Sequence, residues 1–137
     1  MLRRMDHVGI LVSDFEGAKQ FLAGALKLTL TRESNDPDRG IATAYFGCGS
    51  TEIELIELRE VEARRLRLGA AVAKIEHIAL EVDDLAVTLD ELFNDGVQIA
   101  VGPLRRGGTL SVWTDPSSSG GVMYQFMQKG PTVNEER

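Results

Sequence analysis

Cysteine and long apolar runs are both scarce in this chain of 137 residues. The single cysteine, Cys48, excludes a disulfide framework within the chain and fits a reducing compartment. No apolar run approaches the roughly 18 residues that a membrane-spanning helix needs, and the first residues lack the hydrophobic core of a signal peptide. We therefore expect a cytoplasmic protein with no membrane span.

Basic charge is also in short supply. Fifteen Lys and Arg residues stand against 21 Asp and Glu residues, which gives a net charge of −6. Nucleic-acid phosphates require a basic face, so this balance argues against DNA or RNA as a partner. With 43% hydrophobic residues, the chain is typical of one soluble globular domain over residues 1–137.

Histidine is rarer still, and both histidines lie at the same point of a repeated segment. The stretch MDHVGILVSD returns seventy positions later as IEHIALEVDD, which makes His7 and His77 equivalent. Each copy ends on an aspartate, Asp14 or Asp84, directly before apolar residues at helical spacing. Both aspartates are therefore predicted to cap the N-terminus of a helix.

Three extended segments follow each predicted helix, with turn residues between them. We predict strands over about 27–32, 41–47, 51–58, 98–103, 109–114 and 121–128. The sequence thus predicts an α+β fold of two tandem βαβββ modules, 5–58 and 75–128, joined by a helical linker, 59–74. The final residues, KGPTVNEER, predict a frayed tail.

A polar residue interrupts the last hydrophobic strand of each module. Glu54 lies within TEIELIEL, and Gln125, seventy-one positions later, lies within GGVMYQFM. Strand alternation places His7 and His77 on faces that carry small or polar residues, as expected beside a cavity. If the modules pack side by side, these four side chains form a plausible shell for divalent Zn, Ni, Co or Mn.

Simpler interpretations of the same residues stay open at this point. A histidine in a strand is often a hydrogen-bonded structural residue, and Glu54 is flanked by two further glutamates in an amphipathic pattern. Gln125 is equally compatible with a buried amide satisfied by backbone groups. What favours the metal hypothesis is that all four residues occupy equivalent positions of the repeat.

The motifs DHVGILV, TEIELIEL, EHIALEVDDL and DPSSSGGVMYQF together resemble the vicinal oxygen chelate superfamily of glyoxalases, bleomycin-resistance proteins and extradiol dioxygenases. Within it, the resemblance is greatest to the methylmalonyl-CoA epimerase family. The resemblance implies paired βαβββ modules in a cupped, barrel-like mixed sheet. It also implies a divalent metal ion held by His7, Glu54, His77 and Gln125, and a homodimer.

The resemblance further implies an enzyme. The expected activity is a metal-dependent epimerase or isomerase that works through a metal-stabilised enolate of an acyl-CoA. Glu54 is the leading candidate for the proton carrier, and Glu81 and Asp38 are weaker ones. Two alternatives remain open: a glyoxalase I-type lactoylglutathione lyase acting on a glutathione hemithioacetal, and a metal-free small-molecule binder similar to bleomycin-resistance proteins.

Overall fold

A computed structural model describes residues 2–130, so most of the predicted tail lies outside the described residues. Within that range there are eight strands and three α-helices. The strands are β1 Leu2–Val12, β2 Thr29–Asp36, β3 Ile41–Cys48, β4 Thr51–Leu58, β5 Ala73–Val82, β6 Ile99–Arg106, β7 Thr109–Thr114 and β8 Tyr124–Lys129. The helices are α1 Phe15–Gln20, α2 Val61–Leu68 and α3 Leu85–Asn94.

The chain divides into two compact units, one over His7–Glu76 and the other combining residues up to Asp6 with those from His77 onward. In the first unit the strand order is β2-β3-β4-β1. The later part of β1 runs parallel to β4, and β3 is antiparallel to both β4 and β2. A parallel β1–β4 pair needs a long connection, which α1 and the β2–β3 hairpin supply.

The helix of the first unit begins as the sequence predicts. Asp14 accepts a hydrogen bond from the backbone N–H of Gly17 at 3.0 Å, which satisfies one of the donors that a helix start leaves open. After Gln20 the helix continues as a π-helical segment over Phe21–Ala25. It packs on a core that includes Val12, Phe46 and Leu55, so the apolar face of the sheet is covered.

The second unit repeats the arrangement with the strand order β5-β8-β7-β6. β5 runs parallel to β8, and β7 is antiparallel to β8 and β6. Asp84 caps α3 by accepting from the backbone N–H of Val87 at 3.2 Å, which confirms the second predicted cap. The core here centres on Val82, Leu85 and Val112.

Residues 2–6 are held within the second unit by ion pairs. Asp6 is buried, and its Oδ1 lies 2.9 Å from Arg4 Nη1 and 2.7 Å from Lys129 Nζ. The same Arg4 nitrogen lies 3.2 Å from Glu81 Oε1. A buried carboxylate requires such cationic partners because desolvation of an isolated charge is costly.

Three predicted strands, β2, β6 and β8, differ from the observed ones by two or more residues at an end. β6 covers Ile99–Arg106 rather than 98–103. β2 begins at Thr29 and continues to Asp36, because Lys27 has φ 61° and cannot belong to a strand. β8 begins only at Tyr124, because Gly120 and Gly121 have φ of 76° and 92° and form the preceding turn. Within the first unit, α2 ends at Leu68, where Gly69 has φ 60°.

None of the described helices combines the length and the apolar character that crossing a bilayer requires.

Candidate active site

The first unit contains a buried histidine–glutamate pair. His7 lies on β1 and Glu54 on β4, with 4% and 6% of their surfaces exposed. The Nε2 atom of His7 is 3.4 Å from the Oε1 atom of Glu54. The parallel register explains the approach: Glu54 faces Gly9, two residues beyond His7, so both side chains lie on one face of the sheet.

The second unit contains the equivalent pair of strands. His77 on β5 and Gln125 on β8 are both buried, with 6% and 8% of their surfaces exposed. Gln125 faces Ala79, again two residues beyond the histidine. The side-chain nitrogen of Gln125 donates to Ser111 Oγ at 3.1 Å, which fixes the amide and turns its oxygen away from Ser111.

The repeat that was visible in the sequence is therefore also a repeat of strand register. In each unit the polar residue of the last strand lies opposite the small residue, Gly9 or Ala79, that follows the histidine by two positions. His7, Glu54 and His77 are all buried and each offers a donor atom of a type that divalent metals bind.

Two further residues share the face of the His7–Glu54 pair, and neither was predicted from the sequence. Tyr45 on β3 lies opposite Glu54, and Arg32 on β2 lies opposite Tyr45. The tyrosine ring contacts the His7 ring edge-on, at 5.6 Å between centroids. The guanidinium carbon of Arg32 lies 3.8 Å from the centroid of the tyrosine ring, which is a cation–π contact.

The surroundings of Tyr45 keep its hydroxyl protonated. Burial is the main cause that raises the pKa of Tyr45, and the negative charge of Glu54 raises this pKa further. A phenol that stays neutral is able to donate a hydrogen bond at any working pH. The sequence did contain a signal for Tyr45, namely the β3–β4 hairpin turn at GCGS. Counting outward from that turn pairs position 45 with position 54.

The two weaker candidates for proton transfer occupy different settings. Glu81 lies on β5, and its Oε1 is 3.2 Å from Arg4 Nη1. Asp38 is exposed in the turn that joins β2 to β3. Glu81 is therefore engaged by an arginine and Asp38 faces solvent, whereas Glu54 is buried beside His7.

Comparison with known proteins identifies the family. The sequence model of the Glyoxalase/Bleomycin resistance protein/Dioxygenase superfamily matches residues 4–124, which is most of the chain. The chain belongs to this superfamily. The match begins before His7 and ends one residue before Gln125, so it includes three of the four predicted ligands.

Relatives within the superfamily include two kinds of enzyme. The mitochondrial methylmalonyl-CoA epimerase of Bos taurus is 26% identical over 93% of this chain and 75% of its own length. The lactoylglutathione lyase of Escherichia coli O157:H7 is 28% identical over 82% of this chain and 84% of its own length. Identities this low do not assign either of these activities to the chain.

A solved structure confirms the predicted fold. The methylmalonyl-CoA epimerase from Mycobacterium tuberculosis aligns with a TM-score of 0.80 and 25% sequence identity, covering 94% of this chain and 89% of that one. The α+β class with tandem βαβββ modules and the vicinal oxygen chelate fold are therefore both confirmed.

Proposed function

We propose that this superfamily member is a metal-dependent isomerase that epimerises methylmalonyl-CoA or a closely related acyl-CoA. The observation that carries the proposal is the matched register of the two histidine strands. Each unit contains one buried histidine and one buried side chain with an oxygen donor. In both units the residue with the oxygen donor pairs, on the neighbouring strand, with the residue two positions after the histidine. The similarity to methylmalonyl-CoA epimerases supports an acyl-CoA as the substrate.

We further propose that His7, Glu54, His77 and Gln125 ligate one divalent ion, either Co, Zn, Ni or Mn. The chemistry of this donor set fits, since two imidazoles, one carboxylate and one amide oxygen suit a borderline metal. The distance between His7 and Glu54 supports their role as two ligands of one ion. Nitrogen and oxygen ligands that lie about 2.1 Å from a tetrahedral zinc are about 3.4 Å apart, which is the His7–Glu54 separation of 3.4 Å.

The proposed chemistry is removal of the proton at C2 of the acyl group and reprotonation of that carbon on the opposite face. This carbon lies between two carbonyl groups, and a bound divalent ion would supply stabilisation of the negative charge that forms when the proton leaves. Glu54 would accept the proton at a carboxylate oxygen. Its burial removes competing water, and the neutral Tyr45 hydroxyl beside it provides a hydrogen-bond donor for a negatively charged oxygen.

Deuterium exchange at C2 tests this function. The purified protein is incubated with methylmalonyl-CoA in heavy water, and incorporation is followed by mass spectrometry. We expect exchange in the native protein and a loss of about 100-fold or more in Glu54→Gln, because a positioned base contributes that much. Glu62→Gln on α2, an exposed acid whose side chain pairs with Arg65, serves as the matched control and should exchange normally. Absence of exchange in the native protein would exclude the epimerase.

Lactoylglutathione lyase is the second candidate function. The similarity to the Escherichia coli lactoylglutathione lyase supports it. Its reaction also passes through an anion that, like the enolate of the epimerase reaction, requires stabilisation. Isomerisation of the methylglyoxal–glutathione hemithioacetal, measured beside the exchange experiment, ranks the two enzymes directly. A homodimer in the cytoplasm remains our expectation for the active form, to be checked by sedimentation and by cell fractionation.

A further inference from the structure

A row of cross-strand neighbours that includes Glu54 in the first unit differs in chemistry from the equivalent row in the second unit. In register, this row runs from Arg32 through Tyr45 and Glu54 to Gly9. The equivalent row of the second unit consists of Val101, Trp113, Gln125 and Ala79. The second unit therefore has an apolar side chain, Val101, at the position where the first unit has Arg32.

A β-bulge places Arg32 in that row. The register of β2 against β3 shifts between Leu30 and Arg32, so Arg32 rather than Thr31 lies opposite Tyr45. Bulges re-aim side chains and are common beside active sites. Here the bulge brings a cation onto the ring that contacts His7.

The guanidinium of Arg32 is available to a ligand. Its side chain is 59% exposed, and its ion pair with Glu52 is a single contact at 3.4 Å from Nη2. Glu52 also accepts a hydrogen bond from Thr31 Oγ1 at 2.6 Å, so that carboxylate is held without Arg32. The Cζ atom of Arg32 lies 3.8 Å from the centroid of the Tyr45 ring, which keeps the cation on the face that carries His7 and Glu54. The in-plane N–H groups of a guanidinium match a carboxylate in a two-point contact.

From these contacts we infer that Arg32 binds the carboxylate of the acyl group and thereby selects carboxylated over simple acyl-CoA substrates. The inference deepens the proposed function and rests on it for the acyl-CoA class. Arg32 is one aromatic ring away from His7, so a carboxylate held there would place the neighbouring C2 on the face that carries His7 and Glu54.

Differential binding tests the inference without relying on catalysis. Dissociation constants are measured by calorimetry for malonyl-CoA and acetyl-CoA, which differ by one carboxylate. The native protein should bind malonyl-CoA more tightly, and Arg32→Gln should lose about 10- to 100-fold of this preference while its acetyl-CoA affinity stays unchanged. Arg32→Lys should restore part of it, because the charge remains but the two-point contact does not.

Arg39→Gln is the matched control, since Arg39 lies on the same hairpin, is 56% exposed and pairs with Asp36. It should keep the full preference. Equal binding of the two thioesters by the native protein, or an unchanged preference in Arg32→Gln, would overturn the inference. An intact preference that depends on Arg32, in a protein that shows no deuterium exchange, would instead refute the epimerase and leave the carboxylate site standing.

Where exchange does occur, its kinetics provide a second readout. Arg32→Gln should raise KM for methylmalonyl-CoA by a similar factor, whereas Arg39→Gln should leave KM unchanged. A purely structural arginine would alter thermal unfolding in Arg32→Gln but would leave the malonyl-to-acetyl preference intact, which would contradict the assignment.

Discussion

His7 Nε2 and Glu54 Oε1 lie 3.4 Å apart on adjacent parallel strands, with both side chains almost fully buried. Burying a carboxylate beside an imidazole costs desolvation free energy. Such a pair is stable in a fold when interactions with a further partner offset the lost interactions with water. Under the proposed function that partner is a divalent ion, with Glu54 serving also as the base.

Replacing Glu54 separates the two roles that we assign to it. Glu54→Gln keeps an oxygen ligand and should retain metal, but the loss of the base should lower kcat by about 100-fold or more. Glu54→Ala removes the oxygen and should lower both kcat and metal content. Equal kcat values for the native protein and Glu54→Gln, each measured with full metal content, would remove Glu54 as the proton carrier.

Gln125 offers a test of the charge of the ligand set. Gln125→Glu adds a second carboxylate, so divalent metal affinity should rise by about 10-fold, since ligand charge is a main determinant of cation affinity. Without metal, the added buried charge should lower the Tm. Competition with a fluorescent chelator gives the affinity. A metal affinity that does not change, together with an unaltered Tm, would place Gln125 outside the ligand set.

The two capping aspartates should make similar contributions to stability because they are equivalent in the repeat. Asp14 and Asp84 each accept a hydrogen bond from the N–H three residues later. Asp14→Ala and Asp84→Ala should each lower the free energy of unfolding by about 1 kcal/mol in urea titrations. Asp90→Asn, on the exposed side of α3, should change it by less than about 0.5 kcal/mol. If the two alanine variants lose no more free energy of unfolding than Asp90→Asn does, the aspartates do not stabilise the helices as caps.

The sequence revealed the parts of the molecule that follow from local pattern and internal repetition. The equivalence of His7 with His77 and the caps at Asp14 and Asp84 follow from spacing alone, and the structure confirms the caps. Glu54 was visible because a charge within an apolar strand requires a partner. The start of β8 was harder to predict, because apolar residues after Gly121 resemble a strand until the positive φ of the glycine is known.

Arg32 was hidden for a different physical reason. Pairing across β2 and β3 without a bulge would place Thr31 opposite Tyr45, and nothing in the letters of TLTRESND shows that the register shifts by one. Ligand geometry depends on such cross-strand details, whereas fold class depends on periodicity. For this reason the fold was predictable from the sequence while the row beside the candidate site was not.

Metal content is the most direct test of the central claim. Protein purified without chelator is analysed by inductively coupled plasma mass spectrometry, alongside His7→Ala, His77→Ala and the control Glu62→Gln. We predict about one divalent ion per chain in the native protein and the control, and a loss of at least about 10-fold in metal affinity in each histidine variant. Metal-free native protein after reconstitution with Co, Zn, Ni or Mn, or full retention in either folded histidine variant, would contradict a metal centre that uses both histidines.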